Sequence, residues 1–524
     1  MKFSRDAFYL WHLEHVGVLR RTEGGFSTPH WDLAKEAEPV TVALVDSGID
    51  VGHPNLSGAI AAPQVDFGPR MEGAVYVPRG ETINAIRRAL EFDTPSEDDL
   101  REAVAGAMAD IEAHAASVGL DLAQLTALVQ AAEGSADLEA LVTACQAILD
   151  ALRSPASVAA PAAAPALSAG DLAALQDLGL TAGETAAVTE IAQTLSRGPE
   201  PIELQDPSRY FGAHGTACAG LVGGRPAEAD PAAPVFFTAL PYYGVNPYCR
   251  ILSYATPYSH EIRPVLNALV AAYLSGAEVI LMPRGVPDIV ARGALAASRS
   301  RNTRIDHDDP TVTVPEDQAN FARLKDDAAL LEKVMAAIAR QRYLVLAAGN
   351  EGLSDRVGYP GSKLVPVPEA IIVGAETSDG RRASYSNGAD LGDRVLLIVS
   401  DDAVTVDADG FGIDPTSADG SDFDFTPHFP PGAESRFSPW APLTLDVRGG
   451  YGYAASNEAD APDFDDGVDR GAIYTLFGGT SAASSICAGL VALLLQSGKL
   501  QGGVKTAAEV AAILKAEGLG PKSA

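Results

Sequence analysis

Cysteine is scarce in this sequence of 524 residues: Cys145, Cys218, Cys249 and Cys487 are widely scattered and form no CxxC pair. Neither a disulfide framework nor a zinc site is expected, and the four read as small buried thiols, as suits a reducing cytoplasm. Positive charge is also short. Lys plus Arg total 38 against 69 Asp plus Glu, a formal net charge of −31, and such a field repels phosphate backbones and anionic lipid surfaces. Nucleic acid and membrane are therefore not expected partners. Long hydrophobic runs are missing as well, since no stretch reaches the ~18 consecutive apolar residues of a membrane span. The start, MKFSRDAFYLWHLEHVGVLRR, has no apolar h-region ahead of a small-residue cleavage site, so export is not expected and the chain reads as cytoplasmic.

What is present is globular. Hydrophobic residues make up 47% and charged residues 20%, and at roughly 100 to 200 residues per domain the length holds one large domain with an inserted module, or three modest ones. Short β-branched runs recur: VTVALVD from Val40 to Asp46, then RILSYA, EVILM, YLVLAA, AIIVGA and RVLLIV between Arg250 and Val399. Helical stretches, such as Pro264 to Ser275 and Gln318 to Gln341, separate several of them. Alternating buried strands and helices predict an α/β fold, a doubly wound parallel sheet covered on both faces.

From 67 to 204 the composition shifts to Ala, Leu, Glu and Asp, which predicts an all-helical insertion between the first part of the α/β domain, 1–66, and its second part, 205–524. Capping-box spacing occurs at Thr94 to Glu97 and at Thr181 to Glu184, and Ser135 precedes an i, i+3, i+4 pattern of Leu138, Leu141, Val142 and Cys145. The proline- and alanine-rich run from Ser154 to Ser168 reads as an extended linker dividing the insertion. The stretch of about 401–470, rich in Asp, Gly and Pro, reads as long loops.

Three segments bear chemistry. Asp46 ends the first strong strand, where open parallel sheets place their sites. His214 opens HGTACAGLVGG, and Ser481 follows Gly478, Gly479 and Thr480 in the first turn of an apolar helix, FGGTSAASSICAGLVALLL. Each alone has an ordinary structural reading, as a turn or a helix cap. Together, Asp, His and Ser in that chain order match one of the few known arrangements of a nucleophilic triad. A fourth segment, LAAGNEG, places Asn350 after a strand, with an amide suited to donate to a developing oxyanion.

These segments, with YPGSKLVPVPEAIIVGA and SYSNGAD behind Asn350, resemble the subtilisin-like serine proteases, the subtilases (peptidase S8), over about 7–65, 207–399 and from 472 to the end. The resemblance implies a serine endopeptidase in which Asp46 orients the histidine, His214 is general acid and base, and Ser481 is the nucleophile. Asn350 would donate to the oxyanion together with the Ser481 N–H. It also implies a polypeptide substrate added as a strand along Pro283, Arg284 and Gly285, with Gly349 beside the pocket. Gly215 and Gly479 are expected to let the backbone approach the substrate. No cofactor is required.

The sequence departs from the family in several places. Ala482, Ala483 and Ser485 stand where the family usually has Met-Ala and later Pro, and Pro283-Arg284-Gly285-Val286 replaces Ser-Leu-Gly-Gly. Arg284 would favour an acidic substrate side chain and Glu351, near the expected pocket rim, a basic one; the residues alone do not rank them. Phe8 to Leu13 already resembles the start of a mature domain, so no pro-domain is expected, and far more residues separate Asp46 from His214 than the family usually carries. That excess is the helical insertion, a candidate control element or docking site for a regulatory protein. Asp407, Asp409 and Asp414, and the stretch from Asp463 to Asp469, offer oxygen ligands suited to calcium, which many subtilases bind, but without EF-hand spacing. The rival function is a catalytically silent binding or scaffold module on the same fold.

Overall fold

In the computed structural model, residues 8–23, 25–62, 64–67, 86, 90, 96–118, 122–153, 167–195, 213–226, 240–256, 262–286, 288, 318–401, 403–407, 410–413, 441–447, 453 and 473–521 are described. The six apolar runs form strands of one sheet, joined at its edge by a two-residue strand that no pattern announced. The strands are β1 (Thr41–Asp46), β2 (Val65–Asp66), β3 (Arg250–Ala255), β4 (Val279–Met282), β5 (Tyr343–Ala347), β6 (Ile371–Glu376) and β7 (Leu396–Val399). Their order is β2-β3-β1-β4-β5-β6-β7, and every pairing is parallel. After β3 the chain crosses to the other side of β1, so the strand order reverses there. In open sheets the crevice beyond the carboxyl ends at such a reversal holds ligands, and Asp46, in register with Ala255 of β3, stands at that end.

The longer helices are α1 (Glu97–Val118), α2 (Leu122–Glu133), α3 (Leu138–Arg153), α4 (Ala169–Asp177), α5 (Ala182–Leu195), α6 (Ala213–Gly223), α7 (Arg263–Leu274), α8 (Gln318–Ala339), α9 (Gly479–Gln496) and α10 (Ala507–Ala516). Along β1, Val42 and Leu44 join one apolar cluster with α6 and α9, while Ala43 and Val45 join another with α7 and α8. This two-residue period, with both faces apolar, is what a doubly covered parallel sheet requires. Helix α9 is long and apolar enough by composition to cross a membrane, with a mean hydropathy of 1.5, yet 94% of it is buried inside the protein. It is the core helix of the first face.

The helices of the 67–204 stretch fall into two groups. Leu100 and Val104 of α1, Leu125 and Val129 of α2, and Leu141, Cys145 and Ile148 of α3 make their own cluster. Leu175, Leu178, Val188 and Ile191, from α4, α5 and the turn between them, instead join the cluster on the second face of the sheet. Asn267 Nδ2 on α7 donates to the Ile191 carbonyl at 3.3 Å, and Lys333 on α8 pairs with Glu184 at 2.5 Å.

Local signals fared unevenly. The Thr181–Glu184 capping box forms, with both reciprocal bonds at 2.8 and 3.3 Å. Thr94 and Pro95 lie outside the described residues, and the Asp99 N–H is accepted by Ser96 Oγ at 3.4 Å. Ser135 does not start α3: its hydroxyl donates back to the Ala131 carbonyl of the preceding helix, while Asp137 caps the Ala140 N–H at 2.9 Å. Of the expected linker, 154–166 lies outside the described residues, and its last residue, Ser168, forms an unforeseen capping box with Asp171. The stretch 401–470 is not all loop. It contains an antiparallel hairpin, Ala403–Asp407 with Gly410–Ile413, and a strand, Leu443–Leu445, paired with Tyr474–Leu476.

Candidate active site

Asp46 ends β1 almost wholly buried, and His214 is the second residue of α6. Their meeting depends on Gly215, where a Cβ would fall 2.0 Å from the Gly48 carbonyl oxygen, so only glycine lets α6 start against the turn after β1. Gly215 thus clears room for its own chain. The His214 Nδ1 lies 2.7 Å from Asp46 Oδ2. A carboxylate only accepts, so Nδ1 is the donor to Asp46, and in the neutral ring Nε2 is the acceptor facing Ser481 Oγ at 3.0 Å. The Ser481 hydroxyl has a second acceptor, the Pro283 carbonyl at 2.8 Å.

Burial alone would lower the His214 pKa, but the Asp46 carboxylate outweighs it and raises the imidazole above its ordinary value. Burial likewise works to raise Asp46, and His214, followed by the Arg284 guanidinium, holds it below the usual carboxylate range. The pair is therefore built to stabilise an imidazolium. Phe477 packs its ring edge-on to His214, with centroids 5.3 Å apart.

Asn350 is fixed by the residue before Ser481. Its Oδ1 accepts both the Thr480 N–H and the Thr480 hydroxyl at 2.8 Å, so the amide nitrogen is the end left for the cleft. At the start of α9 the first N–H groups have no intrahelical partner and carry the positive end of the helix dipole. Gly479 has φ +73°, and a Cβ there would come 3.0 Å from Asn350 Nδ2, so this glycine too serves the protein's own packing. His214, Pro283, Arg284, Gly285, Gly349, Asn350, Glu351, Thr480 and Ser481 line one cleft of about 500 Å³ together with Ala347 and Tyr453.

The expected substrate residues are all in this cleft, but they differ in availability. Gly349 is bonded within the protein on both sides, its N–H to Thr480 Oγ1 and its carbonyl from the Asn387 N–H, each at 3.1 Å. Beyond Gly285, the Val286 N–H is taken by the Tyr359 carbonyl at 3.0 Å. Arg284 is buried and its guanidinium donates to Thr256 Oγ1, whereas Glu351 is exposed, with Oε2 held by Asn387 Nδ2 at 2.5 Å. Of the two charges weighed from sequence, Glu351 is the one that meets solvent at the cleft.

Among the described residues, the group that brings metal-ligating atoms together is Asp46, His214 and Cys218, within 4.8 Å of one another. Nitrogen and sulfur donors do not suit calcium. The two Asp-rich stretches expected to suit it lie outside the described residues, apart from the backbones of Asp407 and 410–413. Cys218 is the buried free thiol expected of it, and one helical turn after His214 it brings its Sγ to 3.9 Å from His214 Nδ1.

A family model described as the subtilase family matches residues 37–396, and the chain belongs to that family of serine proteases. The matched stretch contains Asp46, His214 and Asn350, while Ser481 lies beyond it. The substrate class is therefore polypeptide. Among solved structures, the chain is similar to a lanthipeptide protease at 14% identity, covering 97% of this chain and 86% of that one, with a TM-score of 0.43. It is similar at 12% identity to the nisin leader peptidase of Lactococcus lactis (98% and 95% covered, TM-score 0.39), and at 13% to a patellamide maturation protease (89% and 80% covered, TM-score 0.33). No curated protein matches the sequence significantly.

Proposed function

We propose that the chain is a serine endopeptidase working through Asp46, His214 and Ser481, with Asn350 and the Ser481 N–H as oxyanion donors, and that the helical insertion controls access to the cleft. The observation that carries this reading is the continuous Asp46–His214–Ser481 hydrogen-bond chain of 2.7 and 3.0 Å. A serine hydroxyl is a poor nucleophile at neutral pH. As Oγ attacks the scissile carbonyl carbon, its proton passes to His214 Nε2 and the carbonyl electron pair moves to oxygen, which meets the Asn350 amide and the Ser481 N–H. When the tetrahedral centre collapses, the C–N bond breaks and the imidazolium gives its proton to the leaving amine. Water then repeats the sequence on the acyl-enzyme and frees Ser481.

A fluorophosphonate probe distinguishes this reading from the silent binding module. Labelling is expected on wild type and lost in Ser481→Ala, which also abolishes peptide hydrolysis while leaving the fold intact, because the N-cap of α9 is Gly478 and no helix cap is lost. A Ser481→Ala protein that still cleaves peptide at the wild-type rate would remove the mechanism.

A further inference from the structure

Just before Ser481 the chain turns through Gly478 and Gly479, and side chains from another element hold that turn. Asp401 lies two residues beyond β7 and is fully buried. Its Oδ1 accepts the Gly479 N–H at 3.1 Å and the Tyr385 hydroxyl. The adjacent Ser400 hydroxyl donates to the Gly479 carbonyl at 2.7 Å. Both polar groups of the Gly479 backbone are thus gripped from the end of β7. The fit is steric as well, because a Cβ on Gly478 would lie 2.4 Å from Asp401 Cγ. Gly478, the N-cap of α9, has no side chain to satisfy the orphan N–H groups of the helix start, and Asp401 takes over that task from a distance.

A carboxyl is a costly choice for it. Asp401 Oδ2 is buried without a hydrogen-bond partner, and burial pushes the group above the usual carboxylate range. Its hydrogen bonds reach Tyr385, Ser400 and Gly479, none of them a member of the triad. What the clamp does govern is geometry. Gly479 precedes Thr480, Thr480 holds the Asn350 amide through two bonds, and Ser481 follows directly.

We propose that Asp401 is a positioning residue for peptide hydrolysis: with Ser400 it clamps the Gly478–Gly479 turn and so sets where the Ser481 oxygen and the Asn350 amide stand against the substrate carbonyl. The proposal rests on the triad reading above. The clamp acts on reacting groups and not on the cleft walls, so its loss should appear in turnover and not in substrate affinity.

The test measures kcat and KM on a short peptide, and thermal melting, for wild type, Asp401→Ala, Asp401→Asn and Ser481→Ala. Asn keeps the Oδ1 acceptor without the charge. Asp401→Ala is expected to lower kcat about 10- to 100-fold, the range for a displacement of up to ~1 Å at reacting groups, with KM within about 2-fold. Asp401→Asn is expected to restore most of the loss. An Asp401→Ala protein with wild-type kcat, or a loss that Asp401→Asn leaves untouched, overturns the clamp while an inactive Ser481→Ala keeps the triad reading intact. Turnover by Ser481→Ala overturns both. Should Asp401→Ala not fold, Ser400→Ala, which releases the Gly479 carbonyl, is read against the same outcomes.

Discussion

At the scale of residues, the charges set a direction for pH dependence. His214 accepts the Ser481 proton only when neutral, and Asp46 raises its pKa, so kcat/KM should climb with pH along a limb whose midpoint lies above the ordinary imidazole value of 6.5. Asp46→Asn removes the raising charge. Its limb should shift to lower pH and its kcat should fall by about 10⁴-fold as the Nδ1 tautomer is lost; pH–rate profiles of the two proteins check both, and a limb that stays in place refutes the coupling. Asn350→Ala should lower kcat by about 10²- to 10³-fold with little change in KM, because the amide acts only once the oxyanion exists. Steady-state kinetics decide this, and a loss shared equally with KM would mean the amide binds substrate and not the oxyanion. The four residues of the proposed chemistry could be picked out in sequence because each sits in a short motif at a strand end or helix start. Asp401 was not. Its meaning comes from burial against a glycine 78 positions away, which no local pattern records.

At the scale of elements, short β-branched runs announced six strands because burial on both faces leaves them no polar alternation to obscure the reading. Caps were harder: Ser135 and Asp137 are both good N-caps, and only the path of the chain out of α2 decided between them. The linker read from Ser154 to Ser168 falls between the two groups, but no local pattern told that α4 and α5 cover the sheet while α1 to α3 cluster by themselves. That division has an energetic consequence. Leu175 of α4 is fully buried in the cluster shared with β1, α7 and α8, so Leu175→Ala should cost about 2 to 5 kcal/mol in the unfolding of the α/β domain itself. Denaturant unfolding followed by loss of peptidase activity measures it, and an unchanged midpoint would show that α4 is dispensable to the sheet.

At the scale of the molecule, the insertion enters the chain between Asp46 and His214, two residues that must meet to within hydrogen-bonding distance. Any element spliced there returns the chain to the cleft, which gives it a route to control access. Removing all of 67–204 is too blunt a test. Phe67 and the α4–α5 pair belong to the second-face cluster, and stripping them would uncover the apolar side chains of α7 and α8. Excision of 86–153 alone, with a short flexible linker in its place, takes out α1 to α3 and the core they share with Ile86. That protein should fold, with the melting behaviour of the α/β domain preserved, whereas a deletion carried on through 195 should be markedly less stable. If α1 to α3 control access, the shorter deletion should change hydrolysis of a folded protein substrate more than hydrolysis of a short peptide, because a small substrate passes a partial obstruction. Equal rates on both substrates, before and after excision in a protein shown to be folded, would make those helices an appendage without influence on the cleft.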